Sequence, residues 1–196
     1  MIHATTLRRL PEETVEQFCW KLMMDYKANP HTLRFSYNYE SKGELWFSKR
    51  LSLMTLWHHE PKEKLPETMW HDTRTQFFEK IQHRTVLPCE IVFDIDNKNL
   101  GQTMTFNTIK AKAVFIIKQL RQQGFHPVTY TTQHKSYHIH IIHQQMPYWT
   151  PMQRWNYREA LLDKYACDLQ LQETHTIALE GARHYKSNKP KKEVIL

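Results

Sequence analysis

Apolar and polar positions alternate most cleanly through Ile91-Val92-Phe93-Asp94-Ile95-Asp96. In an extended backbone Ile91, Phe93 and Ile95 fall on one side, and Val92, Asp94 and Asp96 on the other. A strand is predicted over 89–97. A second alternation puts Ser136, His138 and His140 on one face and Tyr137, Ile139 and Ile141 on the other, which predicts two tightly joined strands over 128–132 and 136–142. Between these segments the period changes from 2 to 3.6. Phe106, Ile109, Ala113, Ile116, Ile117 and Leu120 share one stripe, so a helix is expected over 105–123, with Gly124 as its stop.

The same reading covers the rest of the chain. A helix is expected from Pro11, with Val15, Phe18, Cys19, Leu22, Met23 and Tyr26 on one stripe, ending before Asn29-Pro30. Two runs over 32–39 and 44–53, separated by Ser41-Lys42-Gly43, read as a hairpin. Residues 57–70 read as a loop and 73–83 as a short helix that turns Phe77, Phe78 and Ile81 inward. Thr150-Pro151 opens a helix, with threonine as its cap and proline at the first helical position. Late strands are expected around Leu169 or over 176–179, and over 193–196. From residue 89 the order is strand, helix, strand, strand, helix, strand. The expected fold class is α+β: an RRM-like antiparallel sheet core with an N-terminal helix and β-hairpin lobe. A single domain over 1–196 is expected, with residues 1–88 as the lobe and 89–196 as the core.

Composition narrows the partners. With 196 residues, 40% of them hydrophobic, the chain can bury a core. It contains no apolar run near the roughly 18 residues needed to span a bilayer, so no membrane partner is expected. The N-terminal MIHATTLRRL lacks a secretory signal, which points to an intracellular protein of cytoplasm or nucleoid. Cys19, Cys89 and Cys167 are scattered and read as reduced thiols. The net charge of +7 favours a polyanionic partner.

Asp94 and Asp96 bring two carboxylates to one face of a strand, starting about 7 Å apart. Hard oxygen donors so placed suit Mg²⁺ or Mn²⁺ in a site with two ions about 3.5 to 4 Å apart. The adjoining face of Ser136 and His138, preceded by His134 and Lys135, is a plausible seat for a triphosphate. Residues 183–192 (RHYKSNKPKK) concentrate cations, which suits either phosphate contact or a solvated basic tail.

These motifs resemble the archaeo-eukaryotic primase superfamily, which carries an hhhDhD strand, an S-x-H strand, and an hD after a helix followed by an H-x-K-[ST]-G-like turn. Here they stand as IVFDID, SYHIHI, CDLQL and HYKSNK. RFSY and FSKRLSL, in the stretch 34–53, are more loosely similar to two further strands of that family. The resemblance implies a DNA primase, or primase-polymerase, that makes primers from NTPs or dNTPs on a single-stranded DNA template. It implies that Asp94, Asp96 and Asp168 hold Mg²⁺ or Mn²⁺. It further implies that Ser136, His138, His134, Lys135, His184 and Lys186 contact the nucleotide, together with either Lys49 or Arg50, the register of Ser52 favouring Lys49. A large primase subunit or a replicative helicase would be the partner class.

The chain departs from the family at several points. The zinc-binding cluster of many small primase subunits is absent, so no structural zinc is expected. Asn188 replaces a glycine, which a left-handed backbone would tolerate. Glu180 is an alternative to Asp168 as third carboxylate. Two other function classes compete: an HUH-type rolling-circle endonuclease using His138 and His140 with Tyr157 or Tyr165, and a non-catalytic RRM-like nucleic-acid-binding module. Trp57, Trp70 and Trp149 are candidates for stacking on unpaired bases.

Overall fold

The computed structural model describes residues 7–26, 28–41, 44–48, 50–57, 74–96, 106–131, 136–167, 173–183 and 188–196. The first helix, α1 (Val15–Asp25), begins four residues after Pro11, because Thr14 and Gln17 form a reciprocal capping box there. Its buried stripe of Phe18, Cys19 and Leu22 continues to Tyr26 at the cap.

The expected hairpin forms in two storeys. Strands β1 (Arg34–Ser36) and β4 (Leu51–Ser52) pair at its base, and β2 (Asn38–Ser41) and β3 (Glu44–Phe47) at its tip. Arg34 faces Ser52, yet Asn38 faces Phe47, so the second run carries one residue more than the first. That extra residue is a bulge, and it bends the ribbon where Tyr37 and Ser48 bond each other. Two short helices follow, α2 (Leu53–Trp57) and α3 (Arg74–Lys80), with Phe77 and Phe78 buried as expected. The helix expected over 73–83 stops at Lys80, and the chain then enters β5 (His83–Thr85). Nothing apolar marks that strand, because its central residue is a buried arginine.

The C-terminal half contains β6 (Glu90–Ile95), α4 (Phe106–Gln122), β7 (Val128–Thr131), β8 (Tyr137–Ile142), α5 (Pro151–Lys164), β9 (Thr176–Ala178) and β10 (Lys192–Glu193). Gly124, at φ +83°, closes α4, and the next amide, of Phe125, returns to the Leu120 carbonyl. Thr150 caps α5 with a second capping box.

The structure is a mixed α+β fold with two four-stranded antiparallel sheets and the β2-β3 ribbon. One sheet runs β10-β7-β8-β6. Three of its strands follow the expected split arrangement, with β8 between β6 and β7 and α4 as the crossover. The fourth strand departs from that pattern: β9 joins the other sheet, β4-β1-β5-β9, through β5. Ile177 of β9 clusters with Val86 and Val92, so β9 packs against the face of β6 instead of extending its edge.

Helices α4 and α5 cover one face of the β6-β8 sheet. There Ile91, Phe93, Ile95, Tyr137, Ile139 and Ile141 pack on Ile109, Ala113, Ile116, Leu120 and Leu162. On the opposite face Val128, Tyr130 and Ile142 belong to a second core, shared with α1, the β1-β4 ribbon and α3. No helix among the described residues is long and apolar enough to cross a membrane.

Candidate functional site

The β6-β8 pairing register settles which side chains share a face. Asp94 lies directly opposite His138 and Val92 opposite His140, while His138 also faces Tyr130 across β7. His138 Nε2 is 3.5 Å from Asp94 Oδ1. One face of this sheet therefore carries Glu90, Val92, Asp94 and Asp96 from β6 and its end, beside Ser136, His138 and His140 from β8 and its start. Its two ends differ. Toward Glu90 and His140 the other sheet closes over it, and both side chains are fully buried. Toward Asp94, Asp96 and Ser136 it is half-open. Packing of α4 and α5 behind these strands fixes both the carboxylates and the imidazole. Arg158 of α5 adds to this by donating to the carbonyls of Leu87, Pro88 and Glu90 at the entry to β6.

The closed end holds an ionic cluster that the sequence pattern does not announce. Arg84 donates to both oxygens of Glu90, at 2.7 and 2.8 Å, and to both oxygens of Glu180, at 2.9 Å each. Lys191 Nζ donates to Glu180 Oε1 at 3.2 Å and to the Ala178 carbonyl at 2.8 Å, and it lies 3.3 Å from His140 Nε2. Glu90 Oε1 is 2.6 Å from His140 Nδ1.

A lysine ammonium can only donate, so His140 Nε2 is the acceptor and Nδ1 carries the proton given to Glu90. His140 is thus a neutral imidazole. Burial, then the charge of Lys191, holds its pKa below the usual histidine value. Burial alone would raise both carboxyls, but Arg84 more than reverses this: Glu90 is held well below the ordinary carboxylate value and Glu180, which Lys191 also favours, at about 2. Within this cluster two cations and two anions balance around one neutral ring.

This cluster bears on two of the alternatives. Glu90, His140 and Glu180 bring ligand atoms within 4.8 Å of one another, close enough for an ion. Both ring nitrogens of His140 are engaged, however, and Arg84 grips both carboxylates, so the cation place is already taken by the guanidinium. Both oxygens of Glu180 are bonded to Arg84, and Oε1 also to Lys191. His140, locked between Glu90 and Lys191, leaves the His138-x-His140 pair with one histidine on the open end of the face.

The basic stretch 183–192 is likewise not uniformly solvated, because Lys191 is 2% exposed. Its buried end is not marked in the sequence: a lysine in a run of cations gives no sign of the Glu180 carboxylate that meets it. Arg183 and Pro190 form a bridge, and Asn188 has the left-handed φ of +51°. Arg50 is exposed and donates from Nη1 to the Thr174 carbonyl at 2.8 Å. Asp168, His134, Lys135, His184, Lys186 and Lys49 lie outside the described residues, as do Trp70 and the side chain of Trp57. Trp149 is half-buried, its ring packed between those of His143 and Tyr157. The three cysteines are buried and make no disulfide. Signals for the ionic cluster do exist: Glu90 shares the parity of Asp94, and His140 that of His138.

No family model, curated protein or solved structure matches the chain.

Proposed function

We propose that the chain is a primase-type nucleotidyltransferase that joins NTPs or dNTPs into short primers on a single-stranded DNA template. The observation that carries this reading is the direct cross-strand pairing of Asp94 with His138 on a half-open face that also holds Asp96 and Ser136. An isolated pair of strand carboxylates is commonplace. A carboxylate pair registered against an S-x-H strand is the arrangement that nucleotidyl transfer needs, with acidic donors for cations beside donors for phosphate.

Asp94 and Asp96 fit Mg²⁺ or Mn²⁺ by donor chemistry, being hard carboxylates two positions apart on a strand held by packed helices; Asp168 is the third carboxylate of this reading. Divalent ions held there would polarise the α-phosphate and offset the negative charge of the reacting oxygens. His138 and Ser136 donate hydrogen bonds to triphosphate oxygens, with Lys135, His134, His184 and Lys186 as further phosphate contacts. The 3′-hydroxyl gives its proton to solvent and its oxygen attacks the α-phosphorus in line. The bond to the bridging oxygen breaks, and pyrophosphate leaves. The chain's own share is positioning and electrostatic complementarity.

The test is primer synthesis from labelled ribo- and deoxyribonucleotides on a single-stranded template, with Mg²⁺ and then Mn²⁺, comparing the wild type with Asp94→Ala and Asp96→Ala. Labelled products from the wild type and none from either variant are expected. If template binding is the only activity found and both variants keep it, the chain is instead a non-catalytic nucleic-acid-binding module. A covalent tyrosyl-DNA adduct would mark the endonuclease reading, which the engagement of His140 already disfavours.

A further inference from the structure

Away from the acidic face, a cleft of about 670 Å³ opens between β2, the end of α3 and the turn at 181–183. That volume lies within the range that holds a nucleotide-sized ligand, about 300 to 1,000 Å³. Arg9, Lys80 and Arg183 reach its wall from three separate parts of the chain, against one carboxylate among the described residues, Glu79. Lys80 and Arg183 are exposed. Tyr37 and Tyr39 also line the cleft, with ring centroids 6.2 Å apart in an edge-to-face contact. Tyr37 is buried and is fixed in turn against Phe77 at 5.5 Å, while Tyr39 is half-buried. The bulge at Tyr37 and Ser48 bends the ribbon here.

Asn38 lines the same cleft. Its side-chain Nδ2 and Oδ1 are both buried and make no hydrogen bond among the described residues. A buried amide left unmet is costly, so its persistence needs a reason. An amide offers a donor beside an acceptor, and the edges of nucleobases offer the complement.

We infer that this cleft is a binding site for a single-stranded polynucleotide: Arg9, Lys80 and Arg183 meet its phosphates, Tyr39 stacks on a base, and the Asn38 amide turns out to meet a base edge. Cations interleaved with aromatic rings are how sequence-tolerant single-strand sites are built. Three cations around one carboxylate exclude a cationic ligand, and the rings favour a planar aromatic group over a bare anion. A strand is favoured over a mononucleotide because the three cations come from separate parts of the chain, Arg9, Lys80 and Arg183, and so suit several phosphates spread along the cleft. The assignment deepens the template-directed reading above and rests on it for the identity of the strand.

The test uses the full chain and a labelled single-stranded oligonucleotide of about 15 nucleotides, within the span that such grooves cover. Binding is read by fluorescence anisotropy in EDTA without nucleoside triphosphates. The double variant Lys80→Gln/Arg183→Gln is expected to bind about tenfold more weakly. Its dependence of log affinity on log salt should be shallower by about 1.4, or roughly 0.7 for each phosphate no longer neutralised. Tyr39→Leu should weaken binding about tenfold, the order expected when one base loses its stacking partner, and Asn38→Ala should alter the ranking of oligo-dA, oligo-dC and oligo-dT.

Unchanged affinity and salt slope in the double variant would overturn the site, and so would a labelled mononucleotide bound as tightly as the strand. An RNA probe bound in place of DNA supports the site and names the strand. If the wild type makes no primers yet the cleft variants lose binding, the catalytic reading falls and the site stands. If primers form while the cleft variants bind normally, only the site falls.

Discussion

Two carboxylates, Asp94 and Glu180, meet opposite fates, and the difference lies in what stands beside each. Asp94 is half-buried at the open end of the sheet face, 3.5 Å from His138, whereas Glu180 is 1% exposed and bonded to both Arg84 and Lys191. Neutralising each gives a different signature. If Asp94 holds a metal as proposed, Asp94→Asn is expected to lower nucleotide incorporation at least about a hundredfold, since a metal ligand matters no less than the outer groups that orient it, whose removal costs about 10 to 100-fold. Its melting temperature should stay near that of the wild type. Glu180→Gln leaves Arg84 and Lys191 undercompensated. It should cost about 3 to 5 kcal/mol of stability, as removing one partner of a buried pair does. Incorporation per folded molecule should persist. Activity assays paired with urea denaturation separate the two, and loss of incorporation by folded Glu180→Gln would return Glu180 to the metal site. In the proposed function His138→Ala removes a donor to charged phosphate worth about 1.5 to 3 kcal/mol. A fall in kcat/KM of roughly 10 to 100-fold is the expected reading.

At the scale of elements, legibility in the sequence follows the strength of local periodicity. β6, α4, β7, β8 and α5 are each readable, because two-residue and 3.6-residue patterns there run for several repeats and their ends carry strong stops and caps. The acidic face is readable for the same reason: strand parity alone puts Asp94 and Asp96 on one side and His138 on another strand's polar side. Their mutual register is not, since pairing is a tertiary choice. β5 escapes the pattern because a three-residue strand around Arg84 has no apolar alternation to betray it. β9 is legible as a strand but not in its sheet, because Ile177 is drawn to Val86 and Val92, residues 91 and 85 positions away in the chain.

Element ends also give a quantitative test. Gly124 holds φ +83° with nothing within 4 Å of where a Cβ would sit, so a substitution there incurs only the backbone penalty. Gly124→Ala should cost about 1 to 2 kcal/mol, and Gly124→Asn less, since asparagine tolerates that conformation. The corresponding drop is roughly 2 to 8 °C for the alanine variant, at 2 to 4 °C per kcal/mol in a chain of this size. Equal melting temperatures for the alanine and asparagine variants would contradict the left-handed cap.

At the scale of the whole molecule, the two sheets meet at a compensated ionic cluster whose groups make stability depend on pH. Arg84 comes from β5, Glu90 from β6, His140 from β8, Glu180 from the turn after β9, and Lys191 from the residue before β10, with the Tyr130 ring of β7 under the lysine at 4.9 Å. His140 has a folded pKa below its usual 6.5, so as pH falls the unfolded chain takes up that proton first. The stability due to its neutral state is therefore complete above about 6.5 and declines below it. Glu180 ionises at about 2 in the fold and at the ordinary value of 4.5 when unfolded. Its contribution is complete above 4.5 and is lost between 4.5 and 2, and Glu90 shifts in the same direction. Urea unfolding should thus show stability falling gently beneath about pH 6.5 and steeply beneath about 4.5. The gap between wild type and Glu180→Gln should narrow across the lower window, because protonation makes the wild-type carboxyl resemble the amide. A gap that stays constant from about pH 7 to about pH 3 would mean that Glu180 does not hold the sheets together through its charge.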